Sequence, residues 1–285
     1  MSLFERPSEP ATAALAIIPG ELSPEDAAAL ARAVDQLEHS SFATRLANAL
    51  GHEIERLGRM LPHPVANVVD RTVEGAIRAA FATTLRTLKP RKGGDQRTAH
   101  KAVVTLSGTV GGAFGLAALP VELPFSTMVM LRSIAAIARA SGEDLSQPEA
   151  ALACLQVFAL GTSKEDRLAL ESSYFSVRSI LAKSVSEAAR FVVNRGLADE
   201  GAPVIVRLIS QIATRFGVVV SQKLAAQAVP IVGAAGGAAV NYAFIDHFQS
   251  IAEGHFTVRR LERIYGPEPV RAEYDRLLAQ KHAKA

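Results

Sequence analysis

The sequence predicts an all-α protein, a multi-helix bundle with two Gly/Ala-rich central helices. Three observations lead there. Apolar residues recur at helical spacing through most of the 285 residues. No sustained β-branched alternation bounded by turns occurs, and the short runs Val192-Val193 and Val218–Val220 sit inside helical periodicity. Alanine, the strongest helix former, supplies much of a 49% hydrophobic content in a chain without tryptophan. Small apolar side chains bury little area each, so thin and closely packed helices are expected.

The first element opens at Ser23-Pro24-Glu25-Asp26. A capping serine, a proline in the first turn and two acids facing the positive end of the dipole form a strong helix start. Helices are then expected over Pro24–Glu38, Phe42–Met60 and Val65–Leu88, broken at Pro62-His63-Pro64. A fourth, Thr98–Leu119, is broken by Pro120-Val121-Glu122-Leu123-Pro124 before Phe125–Ala140 resumes. Leu145–Leu160 and Glu165–Arg195 follow, with Gly161 and Gly196 as stops. The last region runs from about Pro203 and carries a charged tail that turns at Gly266-Pro267. This divides the chain into an N-terminal tail (1–22), an N-terminal helical region with a basic linker (23–97) and a helical core (98–285).

Two glycine stripes stand out. Gly108, Gly111, Gly112 and Gly115 form one, and Gly233, Gly236 and Gly237 the other. Steps of three and four put each set on one helix face. An interior glycine costs a helix about 1 kcal/mol relative to alanine, so the stripe implies that another backbone, a flat ligand or a lipid comes close. Both lie in uncharged segments, Ala102–Val121 and Leu224–Ile245, each about as long as the roughly 20 residues that cross a bilayer. Gly, Ala, Ser and Thr contribute little insertion energy, and Pro230 falls inside the second, so a buried or shallowly docked hairpin is expected rather than a span.

Charge adds a second theme. The formal net charge of +3 is too small to argue for a nucleic-acid partner. Arg86, Lys89, Arg91, Lys92, Arg97 and Lys101 nevertheless cluster against the single acid Asp95, immediately before the first stripe. Basic residues beside an apolar helix are drawn to anionic membrane surfaces, at about 1 kcal/mol each. A solvated linker, with turn residues throughout Lys89–Asp95, is the competing reading. The lone Cys154, among apolar neighbours, reads as an inert core thiol in a reduced compartment. Before the apolar run Ala11–Ile18, Glu5 and Glu9 sit where a signal peptide would want basic residues, so it reads as no signal peptide and the expected location is the cytoplasm.

No phosphate loop, nucleophile elbow, zinc-protease helix or Cys/His array occurs. The candidate chemistry is confined to a few side chains. Glu122, between two prolines, either caps the helix from Phe125 or faces a partner such as Arg132. Asp246 and His247 are adjacent and point apart on a helix, while His247, Ile251, His255 and Arg259 step by four along one face. The two histidines are two turns apart, about 12 Å of rise, too far to share a metal unless the helix breaks near Gly254. Surface ion pairs such as Arg259–Glu262, with packed histidines, are the simpler expectation.

The chain resembles a bacterial family, the EcsC proteins. The likeness rests on Leu119-Pro120-Val121-Glu122-Leu123-Pro124, Met130-Leu131-Arg132-Ser133-Ile134, Gly142-Glu143-Asp144-Leu145 and Cys154-Leu155-Gln156-Val157-Phe158-Ala159-Leu160-Gly161. It continues through Val229-Pro230-Ile231-Val232-Gly233-Ala234-Ala235-Gly236-Gly237, Asn241, Asp246-His247-Phe248 and Gly254-His255-Phe256-Thr257-Val258-Arg259-Arg260-Leu261-Glu262, spanning about Lys101 to Tyr274. The resemblance implies a helical protein of a family named from an operon with an ABC transporter affecting secretion. It implies no biochemical activity, cofactor or metal.

The leading expectation is a membrane-associated, non-enzymatic cytoplasmic protein. Its glycine stripes, with Asn241 and Arg132, would hold a lipid or apolar ligand, and residues 86–101 would touch anionic headgroups at the inner face of the membrane. A transporter is a further expected partner, with the charged stretch Arg259–Arg276 as its contact. The alternative is a metal-assisted hydrolase in which Glu122, Asn241, Asp246, His247 and His255 converge.

Overall fold

A computed structural model of the chain describes residues 21–39, 42–50, 63–86, 119–162, 174–195, 202–227 and 233–283. Among them are nine α-helices and no strand: α1 (Pro24–Val34), α2 (Phe42–Leu50), α3 (His63–Arg86), α4 (Leu119–Ala140), α5 (Pro148–Leu160), α6 (Tyr174–Arg195), α7 (Pro203–Gln227), α8 (Gly233–Tyr265) and α9 (Pro267–His282). A π-helical turn, Asp35–His39, continues α1. The fold class expected from periodicity is the one observed. The first glycine stripe, Lys89, Arg91, Lys92, Arg97, Lys101 and the run Ala11–Ile18 lie outside the described residues. Arg86 closes α3.

Local signals set several boundaries. The Ser23 hydroxyl accepts the Asp26 N–H at 3.1 Å, capping α1. Gly142 takes a left-handed φ of 81° just past α4, and the Gly142 and Glu143 N–H groups turn back onto Arg139 and Ala138. Gly266, at φ 88°, separates α8 from α9 at the expected turn.

One expected boundary is corrected. The chain does not break at Pro120–Pro124, because α4 begins at Leu119 and runs through both prolines. Pro120 sits in the first turn, where its missing N–H has no intrahelical partner, and Pro124 forfeits one bond at that same end. The uncharged segment Leu224–Ile245 takes in the end of α7 and the start of α8, with Pro230 in the undescribed stretch 228–232.

α5 and α8 form the axis. Every residue of α5 from Ala150 to Leu160 is buried, as an all-round apolar helix must be. α8, 33 residues and about 50 Å long, packs against α1, α2, α4, α5, α7 and α9. Phe42, Phe158, Phe216, Phe244 and Phe248 meet where α2, α5, α7 and α8 converge, with centroids 4.9 to 6.0 Å apart. α3 packs against α4 and α7 on the outside of this core.

The direction of α4 relative to α8 follows from two contacts. Gln249 Nε2 donates to Ser133 Oγ at 2.6 Å, and Arg259 Nε donates to Glu143 Oε1 at 2.8 Å, each across a separation of 116 residues. A constant offset means the two helices run parallel. The same offset sets Val121 about level with Gly237, and Phe125 with Asn241. The second glycine stripe, in the first turns of α8, is therefore at the same end of this helix pair as the start of α4.

Candidate functional site

The expected site residues fall into separate environments. At the start of α4, Glu122 accepts from Lys223 of α7, Nζ to Oε1 being 2.6 Å. Arg132, the nearest basic residue in sequence, is instead exposed on α4. Lys223 is only 2% exposed, and its ammonium also lies 4.8 Å from the ring centroid of Phe244. Burial pulls the Lys223 pKa down, and the Glu122 carboxylate offsets part of that.

Close by in level, Asn241 is 1% exposed, and neither its Nδ2 nor its Oδ1 has a hydrogen-bond partner. Thr127 Oγ1 on α4 is likewise buried and unpartnered. Leaving such a group unsatisfied costs about 1–3 kcal/mol. These three atoms need hydrogen bonds that the described protein does not supply. Gly237 is buried one turn earlier on α8.

Asp246 and His247 diverge as their adjacency requires. Asp246 pairs with Arg45 of α2, which also donates to Ser250 Oγ at 2.8 Å. His247 turns to the core, where its Nε2 donates to the Gly161 carbonyl at 2.6 Å. A carbonyl only accepts, so the proton is on Nε2 and the unpartnered Nδ1 is bare. Burial lowers the His247 pKa to about 4, so the ring is neutral near pH 7. Gly161 cannot carry a side chain without displacement, because a Cβ there would lie 2.5 Å from Phe248 Cε1.

His255 sits in a second cluster, between α6, α8 and α9. Arg178 grips Glu262 with two bonds of 2.7 and 2.6 Å and donates to the Tyr174 hydroxyl at 3.3 Å. That hydroxyl in turn lies 2.8 Å from His255 Nδ1. The other ring nitrogen of His255, Nε2, is buried and has no partner among the described residues. Burial holds His255 well below its ordinary pKa and pushes Tyr174 up to about 12. Glu38 accepts from the Tyr174 N–H and the Tyr274 hydroxyl, both at 2.9 Å. A groove of about 490 Å³ lies alongside, lined in part by Phe175, Arg178, Glu262 and Arg271. Two of its cations are already matched, Arg178 by Glu262 and Arg271 by Asp275.

Sequence reasoning did not anticipate Lys223, Tyr174, Arg178 or Arg45. Each lies on a helix without a motif, and each finds its partner far along the chain. One pairing and one helix break are corrected. Arg259 does not pair with Glu262: it binds Glu143, and Glu262 binds Arg178. α8 does not break near Gly254, where a Cβ would come within 2.8 Å of Leu37 Cγ and 3.2 Å of the Ala33 carbonyl oxygen. That glycine admits the end of α1 and its π turn. With α8 continuous, His247 and His255 stay two turns apart, and among the described residues no group of three His, Cys, Asp or Glu is placed to hold a metal. Cys154 is a buried thiol with its pKa raised to about 12 by burial, which suits a core position.

Neither the curated proteins nor the solved structures contain a match to this chain. A family model, described as the EcsC protein family, matches residues 25–261. The match takes in α1 to α3 as well as the core, beginning well before the stretch that carries the resemblance in the sequence. The all-α fold and the extent of that match place this chain in the EcsC protein family.

Proposed function

We propose that this protein attaches peripherally to the cytoplasmic face of a membrane, without catalysing a reaction, and holds a lipid or another apolar ligand near its second glycine stripe. The observation that carries this reading is the character of α4 and α7. Among the described residues these two helices are long and apolar enough to cross a membrane, with mean hydropathies of 1.4 and 1.5 over the most apolar window. Only 56% and 50% of those windows is buried within the protein. The six basic residues from Arg86 to Lys101 supply the electrostatic part of the attachment.

The unpartnered Asn241 amide and Thr127 hydroxyl support the ligand. They offer a donor and acceptors, in an apolar setting, to the polar group of an amphiphile. The carboxylates that acid–base chemistry would need are engaged elsewhere, Glu122 by Lys223 and Asp246 by Arg45. A transporter in the same membrane is the protein partner that this placement favours.

Sedimentation with vesicles tests the attachment. The protein is expected to pellet with vesicles containing anionic phospholipid at low salt and to be released as salt rises. Native mass spectrometry of gently purified protein is expected to show a co-purifying lipid. Protein that stays in the supernatant with anionic vesicles and carries no lipid would overturn the reading.

A further inference from the structure

We propose that one end of the bundle, the first turns of α4 with the adjoining turn of α8, is the edge that enters the headgroup layer of an anionic phospholipid bilayer, led by Val121 and Phe125. This rests on the membrane-associated reading above and names its contact face. Val121 is 77% and Phe125 47% exposed. They are one turn apart and so share a face of α4. Tyr242, 48% exposed on α8, is set about level with Ser126 by the parallel register of the two helices. A single exposed apolar side chain is ordinary on a soluble protein. Three at the same end of two adjacent helices, two of them aromatic, form a local patch of the composition found at membrane–water interfaces.

Charge decides the occupant. The chain reaches Leu119 through residues 102–118, which contain no charged side chain, and these follow directly on the basic run Arg86–Lys101. An apolar tip joined in sequence to a net positive segment complements an anionic bilayer: the tip suits the acyl boundary and the cations suit the phosphates. At the other end of α8 the exposed Ile264 stands beside Arg263 and Glu262 instead. It lies roughly 35 Å from the level of Asn241 by helical rise.

The absence of tryptophan makes a direct test straightforward. Phe125→Trp and Ile264→Trp each create a single fluorophore at an exposed site, with folding checked by circular dichroism. Both proteins are mixed with vesicles of phosphatidylglycerol and phosphatidylcholine whose acyl chains carry bromine. The Phe125→Trp emission is expected to shift blue and be quenched severalfold more than that of Ile264→Trp. Phe125→Ser is expected to weaken vesicle partitioning by about tenfold, the loss of most of one buried aromatic side chain.

If both proteins pellet with the vesicles and neither fluorophore is quenched, or both are quenched equally, this edge is not the contact and the proposal fails while the membrane reading stands. A Phe125→Trp emission already blue-shifted and shielded from acrylamide without vesicles would mean that the chain itself or a second copy covers the edge, which also overturns it. Failure of the unmodified protein to pellet overturns the membrane reading itself.

Discussion

From His255 onward, α8 is tied to its neighbours by charge. Arg259 and Arg263 bind Glu143, Glu262 is gripped by Arg178, and Arg260 and Tyr265 both reach Asp26 at 2.8 Å. The first turns of the same helix differ. Among the described residues Asn241 has neither amide atom paired and Thr127 Oγ1 on α4 is unpaired, while Val121, Phe125 and Tyr242 are exposed. The paired half behaves as scaffold, since matched buried charges fix geometry and leave little for a ligand to bind. The other half, beside its Glu122–Lys223 and Arg45–Asp246 pairs, keeps the hydrogen-bonding capacity of Asn241 and Thr127 and some exposed apolar surface. The ligand proposed above would sit in the half where Asn241 and Thr127 lack partners among the described residues.

Breaking the scaffold half is expected to have the largest effect. Glu143 is 4% exposed in its side chain and, against the opposing effect of burial, is held below the usual carboxylate range by the hydrogen bonds and charge of Arg259 and Arg263. Glu143→Leu strands two guanidinium groups and is expected to cost about 3–5 kcal/mol in urea unfolding. A loss below about 1 kcal/mol would show that this network is not what anchors α8.

Acid is expected to act next, at the middle of the helix. The folded pKa of His247 is about 4, below its unfolded value near 6.5, so between those limits the unfolded chain binds the extra proton. Its contribution is complete above pH 6.5 and is lost as pH falls toward 4, at about 3 kcal/mol in all. His255 acts in the same direction. Thermal unfolding followed from pH 7 to pH 4.5 should show the melting temperature falling, with a shallower slope in His247→Gln.

The smallest effect on stability, and the sharpest contrast, is expected at Asn241. Replacing an unsatisfied buried amide by an apolar side chain of similar size is neutral or stabilising, by up to about 1–2 kcal/mol. Asn241→Leu should therefore melt no lower than the unmodified protein while losing the co-purifying lipid. A destabilised Asn241→Leu protein that keeps its lipid would place Asn241 with the scaffold.

Much of this fold is legible because helix signals are local. Ser23-Pro24 marks the start of α1 and Gly266-Pro267 the turn into α9, and the uninterrupted apolar pattern of Ala150–Leu160 marks a buried helix. Partner choice is not local. Glu122 reads in the sequence as facing Arg132, ten positions away, yet its cation is Lys223, 101 residues on. Nothing in residue spacing specifies that α4 and α8 run parallel, and only that register brings Asn241 level with Phe125. The histidines are identifiable as an α8 face, whereas Tyr174, which bonds His255, and Arg178, which bonds Tyr174, carry no motif.

The earliest described helix is closed by the latest. The Ser23 N–H reaches the Tyr265 hydroxyl across 242 residues, Asp26 meets Arg260 across 234, and Glu38 waits for Tyr274 across 236. During synthesis, α1 and its π turn leave the ribosome long before the residues that fix them exist. At roughly 5–20 residues per second, that interval is on the order of tens of seconds. The apolar face of α2 meets α8 around Phe244 and His247, and the end of α1 with its π turn meets it at Gly254, so a nascent chain halted before residue 240 presents both faces to chaperones and proteases rather than to a core.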